Sequence, residues 1–121
     1  MKRLLVTGSR KLDDVQLVRY AIEEAIAILG VPTRLITLVH GNAVGADLIA
    51  AGIGNAIGML VEPHTAKWSK YGKNAGSIRN TVMVESGADL CIAFPEANSI
   101  GTWDCVNKCK NAGIPVKIYQ R

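Results

Sequence analysis

Five short apolar runs recur along the chain, each separated from the next by a helical pattern, and this alternation restricts the fold more than any other feature. The runs lie at about residues 3–7, 35–40, 59–63, 89–94 and 116–119. Strands that alternate with helices pair in parallel through right-handed crossovers. The expected fold class is therefore α/β, a doubly wound three-layer sandwich around a five-stranded parallel sheet. Ligands of such sheets sit beyond the carboxyl ends of the strands, where strand order reverses. The loops that start at Gly8, Gly41, Thr65 and Pro95 are expected to converge there on one crevice.

The helical stretches carry their own punctuation. Asp13, with Gln16 three residues on, reads as a capping box, and Leu12 and Leu17 stand where a hydrophobic staple would. Val15, Val18, Ile22, Ala25 and Leu29 give one apolar face of helical period, which Gly30 and Pro32 end. A second helix, residues 46–57, holds Ala50, Ala51, Gly52 and Gly54. Side chains this small suit close packing against a sheet or a neighbouring subunit. Residues 67–76 read as a polar, basic loop leading into a helix at 77–85. Thr102 reads as the N-cap of the last helix, which Gly113 and Pro115 end.

At 121 residues the chain suits one domain, residues 1–121. No apolar run approaches the ~18 residues of a membrane helix. Gly8-Ser9-Arg10-Lys11 cuts the first apolar run too short for a signal peptide, so a cytoplasmic location is expected. Cys91, Cys105 and Cys109 are odd in number and read as reduced, partly buried thiols. Cys105 and Cys109 share a helix face, but a metal would need two further ligands. No metal and no cofactor is expected. The net charge of +4 suits a polyanionic ligand and is too small and scattered to announce nucleic acid by itself.

The chemistry concentrates at the turns after strands. In His40-Gly41-Asn42-Ala43-Val44-Gly45-Ala46-Asp47 a glycine-rich turn joins a strand to a helix. Gly41 and Gly45 permit a tight turn and close backbone approach, and the first helical amides are expected to face an anion. Asn42 suits a base or ribose. Asp47 suits either the helix dipole or a ribose hydroxyl, and His40 reads as packed or as an acid–base group. Gly8 permits the first turn, Ser9 offers a hydroxyl, and Arg10 can clamp a phosphate. Trp68 and Tyr71, among Lys67, Lys70 and Lys73, read as a stacking platform or as a loop anchor. Arg79 with Asn80 suits a phosphate or ribose. Ser99, Gly101 and Thr102 open a second helix and a second anion site.

The strings VTGSR, VHGNAVGAD, KWSKYGKNAGSIRNTVMV, ADLCIAF and GTWD stand in this order over nearly the whole chain. Together they resemble the YspA-like branch of the SLOG superfamily, which is related to DprA and to the LOG phosphoribohydrolases and whose small members occur in bacteria and phages. The resemblance implies a Rossmann-like fold, a nucleotide or nucleotide-derived ligand, and a homo-oligomer. LOG enzymes cleave the N-glycosidic bond of nucleoside monophosphates. On that resemblance Arg79 stands at the phosphoribosyl-binding arginine, and Gly101 and Thr102 match the "GT" of a "PGGxGTxxE" motif. Cys105 occupies the glutamate position, with Asp104 one residue earlier, about 100° around the helix. Arg79 and Asp104 are thus the candidate catalytic pair of a phosphoribohydrolase. The relation to DprA, with the basic charge, brings in single-stranded nucleic acid as a further partner.

Overall fold

The structure, a computed structural model, describes residues 1–120. Five strands alternate with helices: β1 (Lys2–Gly8), α1 (Val15–Leu29), β2 (Ile36–His40), α2 (Ala46–Ala56), β3 (Leu60–Pro63), α3 (Trp68–Tyr71), α4 (Ala75–Glu85), β4 (Leu90–Phe94), α5 (Ile100–Asn111) and β5 (Val116–Ile118). The strand order is β3-β2-β1-β4-β5, and every pairing is parallel. The chain winds outward from β1 to β3, then crosses back to lay β4 on the other side of β1. Strand order therefore reverses between β1 and β4.

Side chains alternate across this sheet, as the pleat requires. Leu4, Val6, Leu38 and Ile92 face a core built with α1 and α2, through Val18, Ile22, Ala50 and Ile53. Leu5, Val39 and Cys91 face the opposite core, built with α4 and α5 through Met83, Val84, Cys105 and Cys109. Helices thus cover both faces, which is why the central strands read as unbroken apolar runs rather than alternating ones. All three cysteines are free and buried. Among the described residues, no helix is long and apolar enough to cross a membrane.

The structure moves several expected boundaries. The N-cap of α1 is Asp14, not Asp13: the Asp14 carboxylate accepts the Leu17 amide at 3.0 Å. Gly30 does close that helix, in the left-handed conformation. The stretch expected as a loop at 67–76 contains α3 and a 3₁₀ turn at Gly72–Asn74, and α4 begins at Ala75. The last helix starts at Ile100 with Ser99 in the N-cap position, so Thr102 lies in the first turn and is buried rather than capping. The small residues of α2 differ in what lies beside them. Gly54 packs on Leu38 of the sheet, whereas a side chain at Gly52 would meet open space.

Candidate functional site

The first two loops at the switch point are fused by backbone contact. Gly45 has φ 84°, and a Cβ there would lie 2.3 Å from the Ser9 carbonyl oxygen. The same carbonyl accepts the Ala46 amide at 3.1 Å. The close approach that Gly45 permits is therefore to the β1–α1 loop. Gly41 plays the corresponding part for a side chain: a Cβ there would lie 2.4 Å from Nη1 of Arg79. The guanidinium lies against the bare α-carbon, and Nη1 donates to the Gly41 carbonyl.

The β2–α2 turn was expected to offer its amides to an anion, and the chain supplies one itself. Oδ2 of Asp47 accepts the Gly41 amide at 3.1 Å and the Ala43 amide at 3.3 Å. Of the helical amides that follow, Ala46 donates to Ser9, Leu48 to Ala43 and Ile49 to Gly45. The other oxygen of Asp47, Oδ1, is buried and has no partner among the described residues. Burial pushes this carboxyl up to about 6, against the opposing pull of the Ala43 amide and Arg79. His40 is buried, and its Nδ1 accepts the Asn42 amide at 3.0 Å, so that nitrogen carries no proton. Burial, with the nearby His64 and Arg79, lowers its pKa, which keeps the ring neutral.

The open anion site is at the other turn. Ser9 Oγ and Ser99 Oγ each accept a loop amide, Lys11 and Glu96 respectively, and shape the two rims. In the first turn of α5 the amides of Gly101 and Thr102 meet no acceptor among the described residues, as expected of a free helix N-terminus. They border a crevice of about 590 Å³ that β1 and β4 feed with Gly8, Ser9, Ser99 and Gly101. Four cationic side chains line it, Arg10, Lys11, Lys73 and Arg79, against the carboxylates of Asp47 and Asp104. Lys73 stands in the basic run that the sequence offered around Trp68 and Tyr71, whereas Lys11 was not singled out as a ligand contact.

Trp68 also lines the crevice, with Arg10 held over its ring at 5.2 Å from the centroid. Tyr71 does not share that crevice. It lines a separate groove with His64, Ile78 and Val82. Asn42, at φ 57°, lies in a smaller adjoining hollow and donates from Nδ2 to Thr65 Oγ1 at 3.1 Å.

Arg79, Asn80 and Asp104 form one network. The Asn80 Oδ1 accepts Arg79 Nε at 2.9 Å, while its Nδ2 donates to the Gly101 carbonyl at 3.1 Å and to Asp104 Oδ2 at 3.0 Å. Lys108 pairs with the same Asp104 oxygen at 3.0 Å, and Ser77 donates to the other at 3.5 Å. Asn80 thereby joins the middle of α4 to the start of α5. Cys105, at the position that resembles the LOG glutamate, is fully buried, and the contact with Cys109 together with burial raises its thiol pKa strongly.

Fold and site define a Rossmann-like α/β protein with a cationic crevice at the switch point of its sheet. The model of the YspA, cpYpsA-related SLOG family matches residues 2–71, from β1 through α3, and the chain belongs to this family. It is 43% identical to the Gene 61 protein of Mycobacterium phage D29, over 96% of this chain and 94% of that protein. Among solved structures it is similar to the C-terminal domain of a Pyrococcus furiosus hydrogenase, with TM-score 0.53 and 18% identity, over 97% of this chain and 89% of that one. That likeness concerns the fold alone.

Proposed function

We propose that this protein binds a nucleotide or nucleotide-derived ligand in the crevice beyond the carboxyl ends of β1 and β4, as a sensor or a nucleotide-processing protein. The observation that carries the reading is the pair of unpaired amides at Gly101 and Thr102, set at a helix N-terminus across a crevice from Arg10 and Arg79. Aligned amides and a helix dipole favour an anion, and arginines add paired donors to phosphate oxygens. Membership of the SLOG family supports the same ligand class.

The phosphoribohydrolase reading draws less support. Both oxygens of Asp104 are engaged, by Asn80, Lys108 and Ser77, and the buried Cys105 offers no carboxylate. The single-stranded nucleic-acid reading needs Trp68 and Tyr71 on one surface, and they line separate pockets.

A thermal-shift panel of nucleotides tests the proposal. Ligand at tenfold over its dissociation constant adds about 1.4 kcal/mol, a readable shift in a domain of this size. Arg10→Ala is the control of choice, because Arg10 is exposed and its guanidinium lies over Trp68 with no hydrogen bond or ion pair among the described residues. The expected result is a shift in wild type that shrinks in Arg10→Ala. Absence of any shift across mono-, di- and dinucleotides at millimolar concentration refutes the proposal.

A further inference from the structure

Of the two carboxylates that line the crevice, Asp104 is paired with Lys108 at 3.0 Å. Asp47 is 5% exposed and makes no ion pair among the described residues. Its Oδ2 accepts the Gly41 and Ala43 amides, while Oδ1 is buried and bonded to nothing. A neutral acid suits this arrangement, with the carbonyl oxygen accepting and the second oxygen carrying a proton. A carboxylate would keep a charged oxygen where the chain offers it no donor, which is costly.

What favours the charge comes from further off. Arg79 on α4 and Arg10 on the β1–α1 loop both attract the carboxylate. Neither bonds it: Arg79 donates to the Gly41 carbonyl and to Asn80, and Arg10 lies over Trp68. The nearby titratable groups of the other elements stay neutral. The Cys109 contact and burial raise the Cys105 thiol on α5, and burial keeps His40, at the end of β2, without a proton on Nδ1. The remaining charges of the crevice are Lys11, Lys73 and the paired Asp104. The two arginines are also the donors best placed to hold a ligand anion. An anion between them takes up the attraction that supports the Asp47 charge, and it adds a negative charge of its own.

We infer that an anion entering the crevice draws a proton from solvent onto Asp47, so that the neutral acid binds the ligand most tightly and affinity falls as pH rises. The inference rests on the nucleotide reading of the crevice and adds its regulation by pH. Burial already pushes this carboxyl up to about 6. A further rise of one to two units in the complex places the proton uptake between about pH 6 and 8. Below that range the free protein already holds the proton, and lowering the pH further gains no affinity.

Asp47→Asn carries no charge at any pH. Sulfate and ADP are titrated calorimetrically into both proteins at pH 5.5 and pH 7.5. Sulfate keeps its charge over that range, and any titration of the ADP phosphate is common to the two proteins. Between pH 5.5 and pH 7.5 the affinity of wild type relative to Asp47→Asn is expected to fall by about fivefold or more, the effect of a carboxyl that gains a unit or more of pKa on binding. Reading the change between pH values cancels any fixed difference between acid and amide. A carbon-13 NMR titration of the Asp47 carboxyl reads the same event in wild type alone, and saturating ligand is expected to raise its midpoint. A relative affinity that does not change with pH, or a midpoint that stays in place, overturns the inference and leaves the nucleotide reading standing. Absence of binding by both anions, in both proteins at both pH values, overturns both.

Discussion

The Asp47 carboxylate accepts the backbone amide of Gly41 at 3.1 Å, closing the β2–α2 turn on an anion of the chain's own. A glycine turn leading into a helix is a ready anion cradle. Here the cradle is filled from within, and the free helix N-terminus is that of α5. The two turns divide the work: one holds the loops together, and the other faces the crevice.

Asp47 makes stability depend on pH. Its carboxyl titrates near 6 in the folded chain, above the ordinary 3.8, because burial disfavours the charge. Between those values the folded state holds the proton more tightly, so this group's contribution to stability falls as pH rises from about 4 to 6. The shift corresponds to about 3 kcal/mol at most. Asp47→Asn keeps an acceptor for Gly41 and Ala43 and removes the charge. It is expected to melt higher than wild type at pH 7, with the gap closing toward pH 4. A variant that melts lower than wild type across that whole range contradicts the assignment.

Gly45 and Gly41 differ in what a methyl group would strike. At Gly45 it meets the Ser9 and Arg10 backbone, at a φ of 84° that side chains rarely adopt. Gly45→Ala is expected to cost roughly 3 kcal/mol or more from strain and displaced backbone. At Gly41 it meets the end of the flexible Arg79 side chain, which can swing away. Gly41→Ala is expected to cost less than Gly45→Ala and to weaken ligand binding. Urea unfolding of both variants gives the order, and the reverse order would show that Arg79 is the more rigid obstacle.

The central strands β1, β2 and β4 were legible because they are buried between the two helix layers, so each is an apolar run. The first helix start was ambiguous because Asp13 and Asp14 are equivalent as residue types. Only the backbone conformation makes the second the cap. Ser99, Gly101 and Thr102 pose the same ambiguity at α5. The four-residue α3 is too short to show a helical period. The candidate residues were legible as residue types at turns, but their partners were not. No spacing rule states that the anion of the β2–α2 turn is Asp47, that Arg10 stacks on Trp68, or that Tyr71 points into another groove. These depend on which distant segments the crossovers bring together.

Asn80 is buried and is the common partner of Arg79, Gly101 and Asp104. Removing it leaves Arg79 Nε without its acceptor and the link from α4 to the Gly101 carbonyl unmade, while Lys108 and Ser77 still hold Asp104. Asn80→Ala is expected to cost about 1–3 kcal/mol, the usual penalty for stranded buried polar groups. It also loosens the α5 start, so ligand affinity falls with stability. Asn80→Asp retains the acceptor for Arg79 and loses the donor to Asp104, setting two carboxylates together. It is expected to lose affinity for anions more than Asn80→Ala does. Calorimetry on the two variants separates a positioning role from one confined to stability, which would leave both affinities near wild type.

Glu62 ties the edge strand β3 to β1. Arg3 holds it through two bonds, Nη1 at 3.0 Å and Nη2 at 2.8 Å, and His64 Nε2 lies 2.7 Å from Oε2. The hydrogen bonds from Arg3 first, and His64 next, bring its carboxyl down to about 2. A depressed folded pKa contributes stability above the ordinary carboxylate range, and that stability is lost as pH falls through about 2. The carboxylate is more than a third exposed, with 37% of its side-chain area accessible, so screening limits the effect. Glu62→Gln is expected to lose about 1 kcal/mol at pH 7. Below pH 2 it should equal wild type, because both side chains are then neutral. Denaturant titrations at pH 7 and pH 2 measure the two gaps, and an equal gap at both pH values would assign the loss to packing rather than to the charge that Arg3 holds.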